Sequence, residues 1–212
     1  MGLRGSDVAK ESADIILTDD NFASIVDAVR EGRTVFANIK KFVTYIFASN
    51  VPELIPFIGF VLFNIPLPLT IMQILAIDLG TDIMPAIGLG AEPPEAGVMK
   101  EPPRAKGKRL LDWKTLSRAY LFLGIIEATL AMSAFFFLYW MRGWTPGAPM
   151  QATGEVYLAA TTMTFTGIVA AQIGNVMACR TSKESVLNKD LFKIRLILAG
   201  IAIEMVLVFS LT

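Results

Sequence analysis

The chain contains no histidine and only one cysteine, Cys179. The first absence excludes imidazole-based acid–base catalysis and imidazole metal ligation. The second excludes a disulfide framework and a thiolate metal cluster, so Cys179 reads as a small apolar residue at a helix end. Net charge is also lacking: Lys and Arg total 19, as do Asp and Glu, so the overall sum identifies no charged partner. The polar N-terminus carries no apolar core of the kind a secretory signal peptide needs. What the chain has in quantity is apolar sequence, at 54% hydrophobic residues and a mean hydropathy of +0.55. Those values describe a multi-pass membrane protein rather than a soluble domain.

The spacing of apolar runs predicts an all-α polytopic bundle with five transmembrane helices, at about 42–63, 69–89, 119–140, 156–178 and 196–212. A run of about 20 residues, rising about 1.5 Å each, crosses roughly 30 Å of hydrocarbon. The first two spans are joined by the uncharged, proline-stiffened turn Phe63–Pro68, and each holds acid at its centre. Glu53 lies in the first, Asp78 and Asp82 in the second. A carboxylate at mid-membrane costs on the order of 3 kcal/mol even on lenient insertion scales, so three of them call for a compensating cation.

The neighbours of these acids suit that role. Asn50 and Glu53 share a helix face, as do Asp78 and Asp82, with Thr81 beside them. Pro52, Pro56 and Pro85 each leave a carbonyl one turn back without its usual donor, and Gly80 admits close backbone approach. Such carbonyls are tolerated at membrane depth where they line a cavity or meet a ligand. Carboxylate, amide, hydroxyl and carbonyl oxygens together form the ligand set of a hard cation. A helix pair whose acids are merely protonated or internally hydrogen-bonded is the plainer alternative.

Residues 1–41 are soluble in character. Ala13–Thr18 reads as a short strand, Asp19, Asp20 and Asn21 as helix-start signals, and Phe22, Ile25, Val26 and Val29 as one helical face. Past a weak point at Gly32, the helical pattern runs directly into the first span. A strand then a helix is half of an α/β unit, so this segment is expected to be the tail of a domain whose body lies upstream. Residues 90–118 carry Lys100, Arg104, Lys106, Lys108, Arg109, Lys114 and Arg118. After the fourth span come Arg180, Lys183, Lys189, Lys193 and Arg195. The positive-inside rule makes both loops, and the N-terminus, cytoplasmic, and these bases read as a topology signal rather than a nucleic-acid patch. Trp140, Trp144 and Tyr157 are placed as interfacial aromatics. The third span holds Glu127, the fifth Glu204, and the Thr-, Ala- and Gly-rich fourth holds Gln172 and Asn175 on one face.

Several motifs resemble the C-terminal transport region of type II P-type cation-transporting ATPases, closest to the sodium/potassium and proton/potassium branch, with calcium pumps next. Met1–Phe22 (MGLRGSDVAKESADIILTDDNF) is similar to the end of the phosphorylation domain, and Ser49–Pro56 (SNVPELIP) to the fifth transmembrane helix. Asn64–Leu69 (NIPLPL) and Ile77–Asp82 (IDLGTD) are similar to the turn and sixth helix; Glu92–Pro94 and Met99–Arg104 (MKEPPR) to the loop that follows. The resemblance covers essentially the whole chain and is most specific up to residue 104. It implies a division into 1–41, a remnant of the α/β phosphorylation domain with a stalk helix, and 42–212, the transport domain. It implies that Ser49, Asn50, Glu53, Asp78, Thr81 and Asp82 coordinate the transported cation, with Glu53, Asp78 and Asp82 as the charged ligands. Tyr45, Gln172 and Asn175 match positions near a further sodium site, where Asn175 replaces an acid, and Glu127 stands where that branch has a neutral amide.

The resemblance also implies parts not found in this sequence: the phosphorylated Asp-Lys-Thr-Gly, the hinge Gly-Asp-Gly and the nucleotide-binding domain. Thr153-Gly154-Glu155 mimics the family's dephosphorylation tripeptide but falls in an expected outer loop. The leading expectation is therefore the ion-binding segment of an ATP-driven pump in a cell membrane. Na+, K+, Ca2+ or H+ would be its cargo, and Mg2+ and ATP would act only in the full-length parent. Its partners would be the lipid bilayer and the parent's upstream cytoplasmic domains and first four transmembrane helices, with no nucleic acid. The alternatives are a passive cation channel or a non-catalytic membrane interaction protein.

Overall fold

The computed structural model describes residues 5–95, 97–103, 105, 107, 109–181 and 195–211. Met1–Arg4 of the N-terminal motif, Arg104, Lys106 and Lys108 of the first base-rich loop, and Lys183, Lys189 and Lys193 of the second lie outside them. All the regular secondary structure among the described residues is helical, with no strand. The strand expected at Ala13–Thr18 is instead irregular and largely exposed. Its apolar run has no neighbouring strand to complete a ladder, and an isolated strand leaves its backbone groups unpaired. In front of it stands a short helix, α1 (Asp7–Glu11), capped by the Ser6 hydroxyl accepting from the Ala9 N–H.

The helix-start signals act as read. Asp19 accepts from the Asn21 N–H and Asn21 from the Ala23 N–H, and α2 then runs unbroken from Ala23 to Phe63. At about 1.5 Å per residue it is about 60 Å long, twice the hydrocarbon thickness of a bilayer. Gly32 does not interrupt it, and neither do Pro52 and Pro56. Asn64, left-handed at φ 51°, ends it.

The second span is composite. A capping box between Thr70 and Gln73 starts α3 (Ile71–Ala76), a π-helical turn follows at Ile77–Thr81, and α4 (Ile83–Gly90) completes the crossing. Within the turn the Asp82 N–H donates five residues back, to the Ile77 carbonyl. Pro85 cannot donate to Thr81, which interrupts the ordinary ladder at that point. The third span is composite too: α5 (Trp113–Ser117), a π-helical stretch Arg118–Leu123, then α6 (Gly124–Met141). α7 (Glu155–Arg180) is continuous, and α8 spans Arg195–Leu211. Four of the described helical segments are long and apolar enough to cross a membrane: Ala23–Phe63, Ile71–Gly90, Trp113–Met141 and Glu155–Arg180. α8, at 17 residues, is shorter than these. Thr153-Gly154-Glu155 forms the start of α7, with Gly154 at φ 92° and Glu155 in the first turn, where an acid suits the helix dipole.

Lipid is as apolar as a leucine side chain, so packing here depends on close fit rather than on escape from water. Small residues supply it. Gly167 of α7 lies against Ala131 and Ala134 of α6, Gly88 of α4 against Ile197 of α8, and Gly124 of α6 against Val51 of α2. The largest buried cluster among the described residues joins Tyr45 and Ala48 of α2, Ala86 and Leu89 of α4, Leu123 of the π-helical stretch before α6, Val176 and Cys179 of α7, and Ile197 of α8. Trp140, largely exposed, and Trp144, whose Nε1 donates to the Ala148 carbonyl at 2.9 Å, sit together where α6 ends.

At the opposite end of that span, Asp112 caps α5 by accepting from the Thr115 N–H at 2.8 Å and from the Thr115 hydroxyl, with Lys40 of α2 3.4 Å away. The Thr115 hydroxyl first, then its N–H, pulls this carboxyl down from 3.8 to about 2. A depressed folded value means that the contact contributes fully above pH 4 and is lost as pH falls through 2. Asp112→Ala is therefore expected to cost about 1 kcal/mol at neutral pH, the ordinary worth of an N-cap. Thermal melts of the two proteins should converge as pH is lowered from 4 to 2; a gap that stays constant would show that the carboxylate is not the cap.

Candidate functional site

Four of the expected residues meet at one carboxylate. Asp82, 4% exposed, stands where the π-helical turn passes into α4. Its Oδ1 accepts from the Tyr45 hydroxyl of α2 at 3.2 Å and from Nε2 of Gln172 on α7 at 2.7 Å. Oε1 of Gln172 in turn accepts from the Thr81 hydroxyl at 3.1 Å, which also donates to the Ile77 carbonyl at 3.0 Å. Tyr45, Thr81 and Gln172 are all fully buried. So is Ser49, one turn beyond Tyr45, whose hydroxyl donates to the Tyr45 carbonyl at 3.1 Å and lies beside Asp82.

The remaining residues surround this centre. Glu53 is half-buried, within electrostatic reach of Asp78 and Asp82, and its Oε1 has no hydrogen-bond partner. Asn50 and Asp78 share helix faces with Glu53 and Asp82 but are exposed. Glu127 on α6 and Asn175 on α7 are buried side by side. Neither carboxyl oxygen of Glu127 has a partner, nor does Nδ2 of Asn175. Among the described residues no group of three or more acids or thiols is close enough to hold a metal ion unaided. Any cation here would draw on hydroxyl, amide and carbonyl oxygens as well as on acids.

Glu204 of α8 belongs to the same region, although sequence reading left it outside the candidate set. It is fully buried, both of its carboxyl oxygens lack partners, and its charge reaches Tyr45 together with those of Asp82 and Glu127. The available signal was a lone acid within an apolar run, the same signal that marks Glu127. No ion pair among the described residues involves Glu53, Asp78, Asp82, Glu127 or Glu204.

A second polar junction lies toward the base-rich loops. Glu92, just past α4, accepts from Lys41 of α2 at 2.9 Å through Oε2 and from Nε of Arg180, the last residue of α7, at 2.7 Å through Oε1. Lys41 also pairs with Glu95 at 2.7 Å. Asn38 donates to the carbonyls of Gly90 and Glu92, at 3.3 and 2.6 Å. Deleting one member of so buried an ion pair typically costs 3–5 kcal/mol (an approximate range) because its partner is left uncompensated.

Apolar helices long enough to span a bilayer, with buried acids between them, define a multi-pass integral membrane protein. Residues 66–212 match the family model described as "Cation transporting ATPase, C-terminus". The chain is 40% identical over 216 residues to the sodium/potassium-transporting ATPase subunit alpha-1 of Catostomus commersonii, covering 90% of this chain and 21% of that one. It is 48% identical over 147 residues to the sodium/potassium-transporting ATPase subunit alpha of Drosophila melanogaster, covering 69% and 14%. Against the potassium-transporting ATPase alpha chain 2 of Oryctolagus cuniculus it is 35% identical over 237 residues, covering 100% and 22%. The chain thus belongs to the C-terminal region of the type II P-type cation-transporting ATPases, and spans about a fifth of the length of these relatives.

Proposed function

We propose that the chain is the ion-binding segment of an ATP-driven cation pump. In this reading Ser49, Asn50, Glu53, Asp78, Thr81 and Asp82 supply oxygens to the transported cation, and Tyr45, Glu127, Gln172 and Asn175 extend the site, with Glu204 added by its burial. One observation carries the proposal: acids within apolar helices, buried and without a basic partner among the described residues, with unpaired oxygens at Glu53, Glu127 and Glu204. Each such oxygen is costly in a low-dielectric interior unless a cation or a proton meets it. Asn50 and Asp78, exposed in this segment, would be covered by helices that lie upstream in the parent protein. Sodium and potassium are the cations that the relatives' names favour.

The same reading assigns residues 1–41 to the tail of a phosphorylation domain and its stalk, with the N-terminus cytoplasmic and the protein in a cell membrane. α8 is then a fifth crossing. Movement produced upstream, where ATP and magnesium are used, would pass along α2, because that single helix carries both the stalk and Tyr45, Ser49 and Glu53. The test is the size of the native protein, by immunoblot with an antibody to residues 90–118, together with sequencing upstream of Met1. A product several times longer with an in-frame Asp-Lys-Thr-Gly, phosphorylated in a cation-dependent manner, is expected. A 23.1 kDa native product would overturn the pump reading. Cation flux through that product alone in liposomes, without ATP, would mark a passive channel instead.

A further inference from the structure

We infer that Glu92 is a positioning residue for the cation site: it fixes the register in which α2, α4 and α7 bring Tyr45, Asp82 and Gln172 together. The inference rests on the pump reading above and goes beyond it, because Glu92 lies outside the spans and faces no transported ion.

The three elements that meet at Asp82 are the same three that meet at Glu92. Lys41 stands one turn before Tyr45 on α2, Glu92 follows Asp82 at the far end of α4, and Arg180 lies about two turns beyond Gln172 on α7. The two junctions are therefore roughly 6–15 Å apart along each helix. Each carboxyl oxygen of Glu92 is taken by a different helix, so the carboxylate bridges α2 and α7 rather than pairing with one neighbour. Lys41 and Glu92 are each only 8% exposed, so the pairs are not the solvent-screened kind whose contribution is negligible. Asn38 holds the backbone on both sides of Ala91 against α2, which stops the end of α4 from sliding.

Such an anchor matters to α4 because the segment is not an unbroken continuation of α3. The π-helical turn and Pro85 interrupt the hydrogen-bond ladder between α3 and α4, so α3 does not dictate the rotation of the segment that begins at Asp82. Glu92 gives α4 a charged contact with α2 and α7 at its C-terminal end, complementing those that Asp82 makes at the other end. Among the described residues the ion pairs of the junction join two bases, Lys41 and Arg180, to two acids, Glu92 and Glu95. That balance suits a fastening rather than an ion-binding site.

The test uses the full-length protein purified from membranes, with equilibrium binding of 22Na+, 86Rb+ or 45Ca2+, whichever the wild type binds saturably. Glu92→Gln and Lys41→Met are each expected to raise the half-saturating concentration about tenfold, equivalent to about 1.4 kcal/mol, with the number of sites per folded molecule unchanged. The double variant should lose less than the sum of the two single effects, because the Lys41–Glu92 contact is already lost in either one. Wild-type half-saturation in the folded fraction of either single variant, even at reduced yield, would show a merely structural role and overturn the inference, as would additive effects. Asp82→Asn serves as the separate control. If it binds as the wild type does, or if the wild type binds none of the three ions, the pump reading has failed and the inference falls with it. If it loses binding while Glu92→Gln does not, only the inference has failed.

Discussion

Asp82→Asn is expected to abolish saturable cation binding by the full-length protein, raising the half-saturating concentration by at least about 100-fold. The substitution preserves shape and keeps an oxygen where Oδ1 accepts from Gln172 at 2.7 Å and from Tyr45 at 3.2 Å, so the contacts that join α2, α4 and α7 can persist. What it removes is the charge. A unit charge about 4 Å from a cation is worth about 4 kcal/mol at an effective dielectric of about 20, or nearly a thousandfold in affinity. Gln172→Leu offers a contrast. It deletes the hydrogen bonds to Asp82 and Thr81 but leaves the carboxylate, so a smaller loss is expected. Ion binding and thermal stability, measured together on both variants, separate the two effects. Wild-type affinity in Asp82→Asn would remove this residue from the site.

Four of the five spans were legible because a run of about 20 apolar residues has few readings other than a membrane crossing. The helix runs from Ala23 to Phe63, between Asn21 and Asn64, although Gly32, Pro52 and Pro56 all lie inside it. The candidate acids were legible for the same reason that makes them costly: Glu53, Asp78, Asp82 and Glu127 interrupt apolar runs. Their grouping was not. Tyr45, Asp82 and Gln172 come together from three helical segments, and local spacing says nothing about which helix faces which. Helical spacing put Asp78 beside Asp82 and Asn50 beside Glu53, yet one member of each pair is exposed, because a shared face can be covered on only one side. The Lys41–Glu92–Arg180 junction was hidden in the same way, since in sequence its members belong to a span, a proline-rich loop and a topology signal. The strand at Ala13–Thr18 failed for a complementary reason. Its apolar pattern was real, but a strand is defined by its partner, and the described residues offer none.

Gly124→Ala is expected to lower the thermal stability of the solubilised protein by several degrees, although alanine is the better helix former. A Cβ at this position would stand 2.4 Å from Cγ2 and 2.7 Å from Cβ of Val51, and 3.1 Å from the Ala119 carbonyl oxygen. Neither neighbour can yield cheaply. Val51 is β-branched and has little rotamer freedom in a helix, and the carbonyl is backbone. α2 and α6 must therefore separate, and overpacking of this kind typically costs 1–3 kcal/mol, an approximate range. The separation also reaches the candidate site, since Val51 lies between Asn50 and Glu53 on α2 and Gly124 lies one turn before Glu127 on α6. A weaker cation affinity should therefore accompany the loss of stability. Gly32→Ala, in the stalk half of α2, tests the same chemistry with the opposite sign. Nothing lies within 4 Å of a Cβ there, so relief of backbone entropy should stabilise the helix by about 0.5–1 kcal/mol. Val51→Gly added to Gly124→Ala should recover part of the lost stability, because it removes the two shortest contacts. A Gly124→Ala protein as stable as the wild type would mean that α2 and α6 do not approach this closely, and the placement of Glu127 near the site would lose its main structural support.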